Sequence, residues 1–171
     1  MICEYKGKTP DIAKHAFIAH DAVITGDVII GDYSSIWFGT IIRGDVAPVR
    51  IGKEVNIQDQ SMLHQSPDMP LMIEDGVTVG HQVLLHSAII KRHALIGMGS
   101  TILDGAEIGE EAFIGAGSLV PPGKKIPSRT LAFGRPAKII RELTDKDFKE
   151  MNRIRKSYVE KGQYYKSVFN K

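Results

Sequence analysis

A six-residue beat of branched apolar residues constrains this chain more than any other feature. Ile12, Ile18, Ile24, Ile30, Ile36 and Ile42 are each six apart. The beat resumes at Ile51, Ile57 and Leu63, and again at Ile73, Val79 and Leu85. It then runs through Ile90, Ile96, Ile102, Ile108, Ile114, Val120 and Ile126. Glycine follows the apolar residue directly in IGD, IGK, VGH, IGM, IGE and IGA. A period of six does not match an amphipathic helix. The glycines recur too often for long strands, where each costs backbone entropy. A coil resolves the conflict. Each hexapeptide makes a short strand and a corner, and three make one triangular turn of 18 residues, the spacing from Ile12 to Ile30. Repeats of this length are a β-helix signal. One coil cannot bury its apolar edge alone, so it stacks on its neighbours. The run from Ile12 to Ile126 predicts roughly six coils.

The beat breaks in three places. Ile42 to Ile51 is nine residues, which puts three extra residues around RGDVAPVR. Leu63 to Ile73 is ten, with four extra around QSPDMP. Leu85 to Ile90 is five, one short, directly after His86. Insertions in a solenoid become loops on one face, where function concentrates.

The predicted coil occupies residues 1–143, and a C-terminal helix occupies 144–171. PSRTLAFGRPAKIIREL is a Pro- and Gly-marked exit from the coil. Thr144 followed three later by Asp147 resembles a capping box with Asp in place of Glu. Phe148, Met151, Ile154 or Arg155, and Tyr158 form an apolar stripe that packs on the coil or on a neighbouring subunit. Gly162 is the expected helix stop.

Charge and composition exclude several classes. Lys and Arg total 22 against 20 Asp and Glu, a net charge of +2 with no strong basic cluster, so no nucleic-acid partner is expected. The N-terminus lacks a signal-peptide pattern, and no stretch reaches the length of a membrane span. The single cysteine, Cys3, excludes an intramolecular disulfide and fits a reducing compartment. A cytoplasmic protein with no membrane partner is the expectation.

Six histidines are present, and three stand out by spacing. His64 and His86 are 22 residues apart, which becomes 18, one coil, when the four inserted residues are discounted. Each follows an inward leucine, Leu63 or Leu85, so both point outward, about one strand spacing of ~4.8 Å apart. His81 lies five residues before His86, on the preceding face. An extended chain rises ~3.3 Å per residue, so one chain has difficulty bringing all three rings to one ion at ~2.0–2.1 Å. A threefold neighbour solves this, because closed symmetry can set one face of each chain against a different face of the next. The spacing thus suits a metal site at a subunit interface, with His64 and His86 from one chain and His81 from another, and leaves open that they are ordinary surface histidines of a repetitive sheet. Three imidazoles leave a fourth position on zinc for water, whose pKa zinc lowers to ~7. His15, His20 and His93 are out of register and are expected to make local contacts only.

The segments IIRGDVAPVRIG, VNIQDQSMLHQS and VTVGHQVLLHS together resemble the γ-class carbonic anhydrase family, as does GRPAK ahead of the terminal helix. The resemblance spans essentially residues 10 to 143. It implies a left-handed parallel β-helix that forms a homotrimer, with metal at the subunit interfaces held by His64, His81 and His86. The handedness comes from the resemblance alone, since parallel crossovers are ordinarily right-handed. The resemblance also implies that Gln58 orients a metal-bound hydroxide. Asn56, two residues earlier, is placed to hold the Gln58 amide. Arg43, Asp45 and Asp59 match charged positions that form an interface network near the site, and direct handling of bicarbonate is an alternative role for them.

The implied reaction is hydration of CO2 to bicarbonate. Active prototypes of the family carry acidic residues for proton transfer. Here Val46 follows RGD where the prototype has an acid, and the loop after His64 offers only Asp68, so turnover is expected to be slow. Imidazoles accept Zn2+, Fe2+, Co2+ and Ni2+ alike; Zn2+ is the default, with Fe2+ and Co2+ as alternatives. Three other functions remain open: a metal-stabilised trimeric scaffold or assembly protein, an acyltransferase with one histidine as base, and a small-ester hydrolase.

Overall fold

The structure is a computed structural model and describes residues 1–169. The six-residue beat becomes three ladders of stacked side chains inside a left-handed parallel solenoid. On one face Ile42, Leu63, Leu85, Ile102 and Val120 lie in register on parallel strands. A second ladder runs through Ile30, Ile51, Ile73, Ile90, Ile108 and Ile126. The third links Ile36, Ile57, Val79, Ile96, Ile114 and Ala132. All of these side chains are buried. A fully buried Ile or Leu contributes ~1.5–3 kcal/mol, so the prism is held along its axis by many equal increments.

The breaks in the beat are structural features. Strand Val23–Ile30 pairs with strand Ile41–Ile51, with Gly26 opposite Gly44 and Val28 opposite Val49. The extra residues therefore bulge between Gly44 and Val49, and Asp45 sits on that bulge. Gly26 has φ 81° and lies so close to the Gly44 carbonyl that no Cβ fits there. The second insertion is the loop between strands Met62–His64 and Leu71–Ile73. The missing residue after His86 is a tight corner, with Ser87 at φ 45°. The Ser87 hydroxyl donates to Met69 O (2.9 Å) and accepts from Ser66 N–H (2.7 Å), so it fastens the inserted loop beside His86.

The coil ends in an antiparallel hairpin, Thr130–Gly134 with Ala137–Glu142, whose first strand continues the third face. A helix follows over Asp145–Phe169. Thr144 and Asp147 close the expected box: Thr144 N–H donates to Asp147 Oδ2 (2.7 Å), and Asp147 N–H donates to Thr144 Oγ1 (3.4 Å). The apolar stripe packs on the third face of its own coil. Met151 is buried, and Tyr158 and Tyr165 meet the Trp37 ring edge-on at 5.3 and 5.2 Å. The stop expected at Gly162 is corrected. Gly162 lies inside the helix and is buried against the coil, where an added Cβ would sit 3.1 Å from Ser35 Cβ. Glycine is used here for close approach rather than for termination. Among the described residues, no helix is long and apolar enough to cross a membrane.

Candidate metal centre

The solenoid pairs His64 with His86, one directly above the other on adjacent parallel strands. Their rings tilt toward each other with centroids 5.3 Å apart, and His64 Nδ1 lies 3.2 Å from His86 Nε2. Two imidazole nitrogens bound to one tetrahedral zinc at ~2.0–2.1 Å each are ~3.3 Å apart. The facing nitrogens of this pair have that spacing, and neutral imidazoles suit a borderline divalent ion.

Each ring is held from behind. His86 Nδ1 contacts the Asp104 carboxylate. His64 Nε2 lies 3.0 Å from Asp45 Oδ1 and 2.9 Å from Arg43 Nη2. Arg43 Nη1 is 3.3 Å from Asp45 Oδ2, which joins the two charges on the bulge to the pair. The Asp104 carboxyl is held below its usual range, first by the Ser66 hydroxyl and then by His86.

His81 is placed differently. Its Nδ1 lies 2.7 Å from Asp59 Oδ2, and its ring lines a cleft of about 330 Å³ beside the C-terminal helix. Gln58, Met98, Phe113, Ile154 and Tyr158 line the same cleft. Burial, and then the Asp59 carboxylate, push the Tyr158 phenol above its usual pKa. Gln58 and Asn56 are both buried. Thr78 Oγ1 accepts from Asn56 Nδ2 (2.9 Å), and Asn56 Oδ1 accepts from Gln58 Nε2 (2.9 Å). Both amides are thereby oriented.

A single chain thus unites His64, His86, Asp45 and Arg43, and separately groups His81 with Asp59 and Gln58. Among the described residues of one chain, no three His, Cys, Asp or Glu side chains converge as a cluster able to hold a metal. The other histidines make local contacts: His15 with Asp32 and Tyr33, His20 with Phe38, and His93 with Arg155. Sequence reasoning missed Asp104. It lies 18 residues after His86, and the same coil arithmetic that paired the histidines would have found it.

Comparison with known proteins fits this architecture. A family model described as bacterial transferase hexapeptide (six repeats) matches residues 9–44 and 87–122. A protein of Geobacillus kaustophilus named carbonic anhydrase is 73% identical, over 98% of this chain and 92% of its own. An uncharacterized transferase of Bacillus subtilis, YtoA, is 70% identical over 97% of each chain. A crystal structure from Bacillus cereus, provisionally called an acetyltransferase, superposes with a TM-score of 0.97 at 70% identity, covering 98% of this chain and 97% of that one. The chain belongs to the hexapeptide-repeat family, close to its bacterial γ-carbonic-anhydrase-like members.

Proposed function

We propose that this chain hydrates CO2 to bicarbonate at a metal ion shared between neighbouring copies in a homotrimer, with Zn2+ as the default ion and Fe2+ or Co2+ as alternatives. One observation carries the reading: the facing nitrogens of His64 and His86 stand 3.2 Å apart, the spacing of two ligands on one ion. His81, out of their reach along the same chain, supplies the third imidazole from the adjacent copy. A relative named carbonic anhydrase at 73% identity supports the same chemistry.

The metal, when bound, supplies a Lewis acid that makes water nucleophilic near neutral pH. The chain's own residues do the rest. Asn56 occupies the Gln58 amide nitrogen, which leaves Gln58 Oε1 to accept a hydrogen bond from the nucleophile's O–H and turn its lone pair toward carbon. Leu95, Ile96, Phe113 and Ile154 give the cleft apolar walls, which suit uncharged CO2 better than its anionic product. Arg43 and Asp45 hold His64 in place rather than moving protons.

An acyl-transfer reading draws on one observation, the Asp59–His81 pair at 2.7 Å, a carboxylate-braced imidazole suited to general-base work. It leaves the His64–His86 pair without a role. Acyl-CoA binding without bound metal would favour it.

Complementation tests the shared site. His64→Ala chains and His81→Ala chains, each expressed alone, are expected to purify without metal. Co-expressed, they form mixed trimers in which some interfaces join an intact His81 to an intact His64–His86 pair. Metal and CO2 hydration should return in that sample. No recovery in verified mixed trimers would rule out a site divided between chains.

A further inference from the structure

The clearest unassigned group is Asp104 with the loop that reaches it. The carboxylate sits one coil beyond His86, and its two oxygens are divided between two partners. Oδ2 accepts from the Ser66 hydroxyl at 2.7 Å, while Oδ1 faces His86 Nδ1. Ser66 is itself fastened: its N–H donates to the Ser87 hydroxyl at 2.7 Å, and that hydroxyl donates onward to Met69 O at 2.9 Å. Ser87 N–H in turn donates to His64 O at 3.1 Å. The four residues inserted after His64 therefore do not extend away as an open flap. They fold back over the corner after His86 and hand a hydroxyl to Asp104.

An ionised carboxylate only accepts hydrogen bonds. The imidazole nitrogen facing it must carry the proton, and in a neutral ring the other nitrogen then carries the lone pair. We propose that Asp104, braced by Ser66, is a positioning residue that fixes His86 with its proton on Nδ1 and its Nε2 lone pair aimed at His64. Without that brace, the neutral ring is free to place its proton on Nε2, where it would block the donor. The inserted loop thus serves orientation, which accounts for the poor supply of acids in it. The inference rests on the proposed metal site for its purpose, though the tautomer itself can be read in metal-free protein.

The test uses full-length protein with Asp104→Ala, Asp104→Asn and Ser66→Ala. Nitrogen NMR of the metal-free proteins, at a pH where the imidazoles are neutral, reads the His86 tautomer. Wild type should show the proton on Nδ1. Asp104→Ala should shift His86 toward the Nε2–H form, and Asp104→Asn, whose single amide oxygen cannot accept from both Ser66 and His86, should fall short of the wild-type preference for Nδ1–H. Chelator competition with Zn2+ should show Asp104→Ala binding ~10–100-fold more weakly than wild type, as loss of a carboxylate behind a ligand histidine typically does. Ser66→Ala should fall between the two. An unchanged His86 tautomer in Asp104→Ala overturns the proposal. If wild type takes up no Zn2+, the shared-metal reading fails, and the tautomer measurement still decides the role of Asp104.

Discussion

Gln58 Nε2 donates to Asn56 Oδ1 at 2.9 Å, and this one bond decides which end of the Gln58 amide stays free. Both side chains are buried, Asn56 more fully than Gln58, which keeps an edge on the cleft beside His81. Thr78 locks Asn56 in turn by accepting from its Nδ2. The three residues sit on neighbouring rungs of the third face, where Asn56 pairs with Thr78 across parallel strands.

From this relay, Gln58→Ala should retain metal and lose ~10–100-fold in kcat/KM for CO2 hydration, the usual scale for removing outer support at a metal site. Asn56→Ala should lose activity in the same direction by releasing the Gln58 amide. Stopped-flow hydration assays beside elemental analysis separate the two effects. Full activity in Gln58→Ala would remove Gln58 from the mechanism.

Removing the metal should weaken the assembly more than the coil. Each prism is held by its own buried ladders, while the proposed ion joins copies. A ligand present at 100 times its Kd adds ~2.7 kcal/mol to the form that binds it. A strong chelator should therefore lower the thermal midpoint and shift sedimentation toward smaller species, with the far-UV circular dichroism of the folded protein unchanged. A chelator that alters neither midpoint nor size would count against an ion between subunits.

The prism was legible in the sequence because its core is one-dimensional. Each of Ile57, Val79 and Ile96 buries its side chain on the residue one coil away, so a spacing in the sequence is a contact in space. The His64–His86 pairing followed from the same arithmetic once the insertion was discounted. Asp104 was equally accessible by this counting and was overlooked because nothing in its neighbours, Leu103 and Gly105, resembles a site motif. Ser66 and Ser87 could not be read this way. They act through the folded path of an insertion, which has no repeat to fix its register. Gly162 misled for a related reason: a glycine late in a helix reads as a terminator unless the opposing surface, here Ser35, is known.

Gly162 should be intolerant of bulk. An alanine there gains ~1 kcal/mol of helix propensity but must push Ser35 aside, because its Cβ would lie 3.1 Å from Ser35 Cβ. Leucine has no room at all against the coil. Gly162→Leu should lift this part of the helix and expose Trp37, which Tyr158 and Tyr165 now cover. Trp37 is the sole tryptophan, so its emission should shift to the red and become accessible to iodide. An unchanged Trp37 spectrum in Gly162→Leu would mean that the contact is not limiting.

The start of the same helix should be acid-sensitive. Asp147 accepts from Arg141 Nη1 and Nη2 at 2.7 and 3.1 Å and from Thr144 N–H and Oγ1, both at 2.7 Å. Arg141, and then Thr144, hold its carboxyl far below the usual carboxylate range in the folded protein. The unfolded chain takes up a proton near the ordinary value of 3.8, at which the folded chain does not. The stabilisation is therefore complete above that pH and drains away as pH falls through and below it. Asp147→Asn should be less stable than wild type near neutrality, with the two thermal midpoints converging as the solution is acidified below the carboxylate range. Thr144→Ala should also cost stability, on the scale of ~0.5–2 kcal/mol for a lost cap, because it removes the hydroxyl that both caps the helix and donates to Asp147. Parallel midpoints for wild type and Asp147→Asn throughout the acid series would show that Asp147 does not set the acid limb of the helix.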